Sequence, residues 1–282
     1  MNKRITIMVA SKDRHSEISL LIQSLRTQTY QNWDLVIGDE SKTPITACHF
    51  LMCLVGRLRH EGHGVEIIRN EVSQGVCFIR NTLIEKNPWP ENEYSARLDD
   101  DVILEWDYLS RMTRVLEIGY DIASGITPHI IPPLWERNAD YLDFNDGSLI
   151  INDIELDNKG NITRYTDDCG VGYMQSITLP ATNFRSNAVY KTEITEKVRY
   201  PQHLSKVGFR EEAHFSIRAI LQGYKIGVDT KAIAWHVQSG SGGCRCSDYA
   251  ECVQLDEQTF RKYVKKMFQK HGDFIRKYKE GL

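Results

Sequence analysis

Three consecutive carboxylates, Asp99-Asp100-Asp101, follow the apolar end of a segment with a strand-like composition. Adjacent negative charges repel one another, and a divalent cation relieves that repulsion. Mg²⁺ and Mn²⁺ prefer carboxylate oxygens, often one or two from the protein together with the phosphates of a substrate. Alternate residues of a strand point to the same side, so Asp99 and Asp101 are expected to act together. The triplet is therefore a candidate metal site, and a solvated acidic turn is the alternative.

Other polar residues stand near the ends of predicted elements. His236 follows an apolar strand, where its imidazole either completes a carboxylate metal site or has a structural role. Glu211 and Glu212 open a predicted helix, whose dipole stabilises carboxylates and where one of them can act as a general base. Arg80 can bind a phosphate or form an ion pair with an aspartate of the acidic triplet, and a surface salt bridge is the alternative.

The elements that position these residues alternate between strand and helix. Segments of strand composition lie at 5–10, 33–38, 65–68 and 94–98. Segments with the apolar spacing of helices separate them, and this alternation predicts a mostly parallel sheet with helices on both faces. Ligands bind such sheets beyond the carboxyl ends of the strands. Asp39 and Glu40 follow the second strand, so we expect them to line one crevice with the acidic triplet.

The second half of the chain has a different pattern. Its predicted elements are helices at 105–119 and 210–222, a strand at 225–237, and a mixed-sheet insert with long loops at 120–185. The small residues of 239–243 predict a flexible hinge, and an amphipathic helix follows. We therefore divide the chain into two halves of one domain, 1–104 and 105–240, followed by the hinge and C-terminal helix, 241–282.

Composition excludes several classes of protein. The 282 residues include 35 Lys and Arg against 38 Asp and Glu, so no basic excess supports nucleic-acid binding as the main activity. No apolar run approaches the roughly 18 residues of a membrane-spanning helix. The N-terminal apolar segment is too short for a secretory signal. Seven cysteines, mostly scattered, argue against a disulfide framework and favour a cytoplasmic location.

Three of the cysteines, Cys244, Cys246 and Cys252, are close in sequence. Zinc sites usually have four ligands and a C-x₂₋₄-C spacing, which Cys244-Arg245-Cys246 fits poorly. Free thiols in a loop are the favoured interpretation.

Several strings of the sequence resemble family 2 glycosyltransferases. The strand Ile5–Ala10 and the string Leu25–Ser41, with its Gln28-Thr29-Tyr30, are similar to the family's opening strand, "S-l-x-x-Q-t-y" helix end and "D-D-x-S" turn. Leu98–Asp101 looks like the D-x-D region, and Glu211–Arg218 looks like the "E-D-x-x-L-x-x-R" element. The similarity also includes Asn70, Gly75, Arg80-Asn81, Gly223–Ile226 and Trp235-His236, and spans roughly residues 4 to 238.

The resemblance implies a GT-A (Rossmann-like) α/β fold, with a mostly parallel central sheet, a smaller mixed-sheet acceptor part and a C-terminal helix. It also implies metal-dependent transfer of a sugar, of the hexosyltransferase type, from a UDP- or GDP-sugar to a hydroxyl of a saccharide, lipid-linked or protein acceptor. The first half would bind the nucleotide sugar, and the second half would bind the acceptor. The implied roles are donor binding for Ala10, Ser11, Asp39, Glu40, Arg80, Asp99 and Asp100, Mn²⁺ or Mg²⁺ binding for Asp101 and His236, and an inverting general base at Glu212.

Two positions depart from the family pattern. Glu40 stands where the second Asp of the nucleotide turn is usual, and Glu212 stands where the catalytic Asp is usual. No "Q-x-x-R-W" string is present, which argues against a processive polysaccharide synthase. A retaining glycosyltransferase, a nucleotidyltransferase or sugar-nucleotide hydrolase, and a non-catalytic nucleotide-sugar-binding module remain the alternatives.

The C-terminal helix suggests a further contact. From Asp256 onward the chain has eight Lys or Arg against four Asp or Glu, and an apolar stripe that includes Phe260, Val264 and Phe268. A basic amphipathic helix can lie on an anionic membrane surface. We favour the alternative, in which the stripe packs on the body of the protein or on a second copy in a homo-oligomer.

Overall fold

A nine-stranded sheet forms the centre of the computed structural model, which describes residues 3–128, 130, 153–165 and 176–280. Two stretches of the expected acceptor half, 131–152 and 166–175, lie outside these described residues. The strands are β1 (Ile5–Ser11), β2 (Trp33–Asp39), β3 (Val65–Arg69), β4 (Tyr94–Asp99), β5 (Val102–Leu104), β6 (Ile122–Ile126), β7 (Ile154–Leu156), β8 (Ile162–Tyr165), β9 (Thr178–Ala181), β10 (Ala188–Lys191) and β11 (Ile226–His236). The helices are α1 (His15–Arg26), α2 (His49–His60), α3 (Val76–Glu85), α4 (Tyr108–Glu117), α5 (Ile194–Lys197), α6 (Glu211–Leu221) and α7 (Tyr249–Glu280), with a 3₁₀ turn at Ile45–Ala47.

The first half of the sheet is parallel. Its strands run in the order β3-β2-β1-β4, and every position of β2 is buried, as expected for a strand covered on both faces. Alternate residues of β1 serve the two faces: Ile7 packs in the core that includes α1 and α2, whereas Met8 packs with Leu83 of α3. Helices on both faces leave the carboxyl ends of β1, β2 and β4 open for a site.

The second half of the sheet is mixed. Strand β10 lies antiparallel between β4 and β6, and β11 runs parallel to β6 but antiparallel to β5 and β9. The register between β6 and β11 shifts between Val228 and Ile233, and His236 at the end of β11 pairs with Val102 of β5. Because β5 follows the acidic triplet, this pairing brings His236 to the carboxyl end of β4. Strands β7 and β8 form a separate antiparallel pair.

Helix α7 packs its apolar stripe on the body of the protein. Phe260 and Val264 are buried in a cluster with Ala213 and Ile217 of α6. Near the other end of α7, beyond a kink at His271, the Tyr278 hydroxyl accepts a hydrogen bond from the Ile226 N–H. The described helices include none with the length and apolar character that crossing a bilayer requires.

Candidate functional site

A cleft of about 740 Å³ lies at the carboxyl ends of β1 and β4. Nine of the ten residues singled out from the sequence line it: Ala10, Ser11, Glu40, Arg80, Asp99, Asp100, Asp101, Glu212 and His236. The strand register explains this, because Ala10 of β1 pairs with Asp99 of β4 and Ser11 pairs with the last residue of β2. Residues more than 200 positions apart in the chain, such as Ala10 and His236, therefore lie at one edge of the sheet.

Asp39 is the exception, because it does not line the cleft. Its carboxylate is buried and accepts hydrogen bonds from the backbone N–H groups of Ser41 and Ile45, each at 2.9 Å. These bonds shape the turn after β2, and the next residue, Glu40, faces the cleft and accepts a hydrogen bond from the Ser73 hydroxyl at 2.6 Å. The structure thus gives Asp39 a turn-forming role.

The three acids of the triplet have different partners. Asp99 Oδ1 lies 2.7 Å from Arg80 Nη2, and Asp100 accepts hydrogen bonds from the Ser11 hydroxyl and from Arg14, both at 2.8 Å. Asp101 lies 3.0 Å from Arg14 Nη1 and 3.2 Å from His236 Nε2. Asp100 and Asp101 therefore share Arg14 as a partner, whereas Asp99 is paired with Arg80.

These environments give the acids different pKa values. Burial would raise the pKa of Asp99, but the charges of Arg97 and Arg80 outweigh it and hold that pKa at about 2. Burial raises the pKa of Asp100 to about 6, despite the charge of Arg14. Burial would lower the pKa of His236, yet its hydrogen bond with Asp101 raises it. Arg14 and His236 therefore face Asp100 and Asp101, and His236 offers a nitrogen donor beside Asp101.

This donor set fits a divalent cation. One carboxylate and one imidazole nitrogen, Asp101 and His236, would leave the remaining positions to phosphate oxygens and water. A carboxylate combined with substrate phosphates is usual for Mg²⁺, whereas an imidazole nitrogen is more typical of transition-metal ions. Asp99 is directed to its arginines instead. Arg14 supplies the positive charge beside Asp101 in this structure, so a bound cation would share that carboxylate with a guanidinium.

The glycine-rich segment 239–243, predicted to be a flexible hinge, packs on Arg14. Arg14 Nε donates a hydrogen bond to the Ser241 carbonyl at 3.2 Å, and the Gly243 N–H donates to the Lys12 carbonyl at 2.8 Å. A Cβ on Gly242 would lie 2.6 Å from the Arg14 side chain, and φ there is +72°, so glycine is required for this close approach. The segment holds Arg14 against the acidic triplet.

The two adjacent glutamates at the start of α6 have different surroundings. Glu211 is buried and forms ion pairs with Arg97 and with Arg80, the latter at 3.0 Å. Glu212 lines the cleft and has no ion pair with any described residue. Burial, and then the charge of Glu211, raise the pKa of Glu212 to about 6. A carboxyl with that pKa can exchange a proton near neutral pH.

We expect Glu211→Gln to destabilise the protein. The substitution removes one of the two carboxylates, Glu211 and Asp99, that face the buried guanidinium groups of Arg80 and Arg97. Breaking a buried ion pair by neutralising one partner costs about 3–5 kcal/mol of unfolding free energy. Urea unfolding measures this loss of unfolding free energy. Glu66→Gln, at an exposed position of β3, is the control. An unchanged midpoint for Glu211→Gln would contradict the ion-pair assignment.

The start of α7 holds the loop that leads to these glutamates. The buried Asp256 carboxylate accepts hydrogen bonds from the Ser205 N–H and hydroxyl, both at 2.7 Å, and from the Phe209 N–H at 2.9 Å. Arg210 adds a 2.9 Å ion pair with Glu257, and its guanidinium lies over the Tyr165 ring. The position of Glu212 therefore depends on α7.

Several residues of the cleft were not singled out from the sequence. They are Lys12, Arg14, Arg97, Arg185, Arg210, Arg245 and Tyr249, among others. The position of Arg97 could have been predicted, because a charged residue inside an apolar strand is unusual. Arg97 lies two residues before Asp99 and hence on the same side of β4. Arg185 and Arg245 lie in loops, where no periodicity indicates direction. These guanidinium groups suit the recognition of phosphates.

Comparisons with solved structures identify the fold as GT-A. S. aureus TarS 1–349 matches with a TM-score of 0.54 and 14% identity over 83% of this chain and 60% of that chain. The mannosyltransferase PcManGT from Pyrobaculum calidifontis, solved with GDP-Man and Mn²⁺, matches with a TM-score of 0.55 and 13% identity over 85% of this chain and 58% of that chain. GalNAc-T7, solved with UDP, GalNAc and Mn²⁺, matches with a TM-score of 0.62 and 12% identity over 90% of this chain and 48% of that chain. This chain thus spans between 48% and 60% of the length of those chains.

A family model adds evidence at the level of sequence. No curated protein sequence matches this chain significantly. The model described as "Glycosyl transferase family 2" matches residues 6–178, more than half of the chain, and this span includes the acidic triplet. The sequence strings, the sheet order and this match agree, and the chain belongs to glycosyl transferase family 2.

Proposed function

We propose that this chain transfers a sugar from a UDP- or GDP-sugar to an acceptor hydroxyl. The observation that carries the proposal is the meeting, in one cleft, of the acidic triplet and His236 with Glu212, whose pKa is raised to about 6. Family membership supports the reaction class. The complexes of PcManGT with GDP-Man and Mn²⁺ and of GalNAc-T7 with UDP support a nucleotide-sugar donor.

We assign donor binding to the half of the cleft beside β1 and β4. Ala10, Ser11 and Glu40 are proposed to lie near the base and ribose, and Asp99 near the ribose or sugar. Arg80 and Asp100 are proposed to contribute to donor binding as well, and they support this wall through their bonds to Asp99 and to Ser11 respectively. The basic residues Lys12, Arg185 and Arg245 line the same cleft and suit the diphosphate.

We propose that Asp101 and His236 hold a divalent cation, Mn²⁺ or Mg²⁺. Such an ion acts as a Lewis acid that stabilises the negative charge developing on a leaving diphosphate. The chain's own contribution is to fix these two side chains. The Asp101 carbonyl accepts a hydrogen bond from the Val237 N–H at 2.9 Å, and the His236 N–H donates to the Pro128 carbonyl at 2.8 Å. Strand β11 therefore ties His236 to the triplet before any donor binds.

We propose Glu212 as the general base that accepts the proton of the acceptor hydroxyl. Attack by that oxygen from the face opposite to the diphosphate would invert the anomeric centre. Glu212 is suited to this role because Arg80 and Arg97 are paired with Glu211 and leave its carboxylate without an ion pair among the described residues. NMR of the anomeric proton in the first-formed product tests inversion, and a retained configuration would contradict the assignment.

The pH dependence follows from the same carboxyl. A general base acts only when it is deprotonated, and the pKa of Glu212 is about 6. We therefore expect the transfer rate at saturating substrate to rise with pH through about 6 and to reach a plateau above it. Rate measurements between pH 5 and 8 check this. A rate that is already constant from pH 5 upward would assign the base to another group.

Product analysis separates the proposed reaction from its rivals. The protein is incubated with Mn²⁺, a set of UDP- and GDP-sugars and a mixture of saccharide, lipid-linked and peptide acceptors, and the products are identified by mass spectrometry. A transferase releases nucleoside diphosphate and places the sugar on an acceptor. Pyrophosphate formed from a triphosphate would indicate a nucleotidyltransferase, whereas free sugar alone would indicate a hydrolase.

We propose that α7 supports the body of the protein and does not insert into a membrane. Its stripe residues Phe260 and Val264 are buried against α6. The exposed residues of α7 include the lysines Lys262 and Lys266 and the separate apolar side chains Tyr249 and Leu255. We expect negligible co-sedimentation with neutral vesicles, and binding to anionic vesicles that is lost at about 0.15 M salt. Binding that persists in salt, and that is lost in the Lys262→Glu/Lys266→Glu variant, would contradict this expectation.

A further inference from the structure

Two thiols and a carboxylate converge at the start of α7. Cys246 Sγ lies 3.9 Å from Cys252 Sγ, and Cys252 Sγ lies 3.8 Å from Asp248 Oδ2. One ligand atom from each of the three residues lies within 4.8 Å of the other two. Cys244, which the sequence spacing associates with Cys246, instead lines the cleft. The cluster is therefore distinct from the acidic triplet and His236.

The local backbone holds the cluster together. The Tyr249 N–H donates a hydrogen bond to the Cys246 carbonyl at 3.2 Å, and the Cys252 N–H donates to the Asp248 carbonyl at 3.0 Å. These bonds form the turn before α7 and the first turn of the helix, which places Asp248 and Cys252, four residues apart, on one side. Cys246 and Asp248 are exposed, so an ion can reach the cluster from solvent.

Two of the three ligand separations are close to the edges of a tetrahedral zinc site, and the third, between Cys246 and Asp248, is within 4.8 Å. With Zn–S bonds of about 2.3 Å and a Zn–O bond of about 2.0 Å, tetrahedral angles place two sulfurs about 3.8 Å apart and a sulfur and an oxygen about 3.5 Å apart. The observed values are 3.9 Å and 3.8 Å. We propose that Cys246, Asp248 and Cys252 bind Zn²⁺ through two thiolates and a carboxylate, with water in the fourth position.

Zinc binding at this cluster would be linked to proton release, because cysteine binds the metal as a thiolate. The affinity of the cluster for Zn²⁺ should therefore rise with pH. The N-terminus of α7 favours the negative charge of the thiolates and of the Asp248 carboxylate.

The consequence of the site is structural. Arg245 and Tyr249 line the cleft on either side of Cys246, and Asp256, one helical turn beyond Cys252, holds the loop before Glu212. A zinc ion would fix the segment from Cys246 to Cys252 and so stiffen this wall of the cleft. Zinc binding at this cluster would not depend on which sugar the chain transfers.

Cobalt substitution tests the proposal. The full chain is reduced, freed of metal and titrated with Co²⁺, and we expect thiolate-to-cobalt charge-transfer absorption that saturates at one ion per chain and disappears on adding Zn²⁺. Cys246→Ser and Cys252→Ser should remove the absorption. Asp248→Asn should weaken Co²⁺ binding by at least the roughly 10–100-fold that loss of an outer-shell group costs. Cys53→Ser, at an exposed cysteine of α2, is the matched control.

Three results would overturn the proposal. The first is the absence of charge-transfer absorption in the reduced chain. The second is absorption that survives Cys246→Ser and Cys252→Ser but is lost in Cys53→Ser or Cys244→Ser, which would place the ion elsewhere. The third is a Cys246–Cys252 disulfide that resists reduction, found by thiol counting, which would make the pair a structural cross-link and not a metal site.

Discussion

Glu212→Gln is expected to lower the rate of sugar transfer by about 10²–10⁴-fold, the usual contribution of a general base. Glutamine has nearly the shape of glutamate but cannot accept the proton of the acceptor hydroxyl. Glu212 has no ion pair with a described residue, so its neutralisation should leave the fold intact. Donor binding should also change little, because the acidic triplet and Arg80 are untouched. The loss should therefore appear in kcat and not in the KM for the donor.

Initial rates at saturating donor measure this effect. Glu212→Asp should retain part of the activity, because a carboxylate remains but is one methylene shorter. Glu66→Gln, an exposed glutamate on β3, is the control and should match the wild type. A Glu212→Gln rate near the wild-type rate would show that another group accepts the proton.

Asp101→Ala is expected to abolish the dependence of nucleotide binding on a divalent cation. Asp101 is the carboxylate that meets His236 Nε2, at 3.2 Å, and its loss leaves the proposed site with one protein ligand. We expect the Kd of the nucleoside diphosphate in Mn²⁺ to rise by more than the roughly 10–100-fold cost of losing an outer-shell group. The residual binding should be the same with Mn²⁺ and with EDTA.

Calorimetric titration with the diphosphate in Mn²⁺ and in EDTA measures both values. The substitution also removes a partner of Arg14, so a thermal unfolding curve is needed to show that the variant is folded. Glu66→Ala serves as the control for loss of a surface carboxylate. If the Mn²⁺-dependent Kd of Asp101→Ala equals that of the wild type, Asp101 does not hold the ion.

The buried parallel strands and the amphipathic helices were predictable from sequence. The segment at 5–10 became β1 (Ile5–Ser11), and the helix expected at 210–222 became α6 (Glu211–Leu221). Both have local signals, since a buried strand is continuously apolar and a helix has a 3.6-residue period. Strand β10 was not predicted, because four residues carry little pattern and its place between β4 and β6 depends on distant pairing. Helix α7 begins at Tyr249, earlier than the expected Asp256.

The residues of the cleft were more predictable than their contacts. The carboxyl ends of parallel strands gather at one edge, so Glu40 and the acidic triplet were expected to line one crevice, and the structure places both in the cleft. Asp39 was expected in the cleft as well, but the direction of its side chain is set by the turn at Ser41, which strand periodicity does not describe. The pairing of Glu211 with Arg97 needed three-dimensional information, because the two residues lie 114 positions apart in sequence.

The most direct test of the proposed function is a thermal-shift panel with UDP, GDP, CDP, TDP and ADP, each in Mn²⁺, in Mg²⁺ and in EDTA. Each condition is compared with the same metal or chelator without nucleotide, which corrects for any ion bound elsewhere. A diphosphate at 100 times its Kd adds about 2.7 kcal/mol of stability. We predict a shift with a uridine or guanosine diphosphate that requires the metal and disappears in EDTA. Unfolding temperatures that no diphosphate raises, or a shift that is equal in EDTA, would contradict a metal-dependent nucleotide-sugar site.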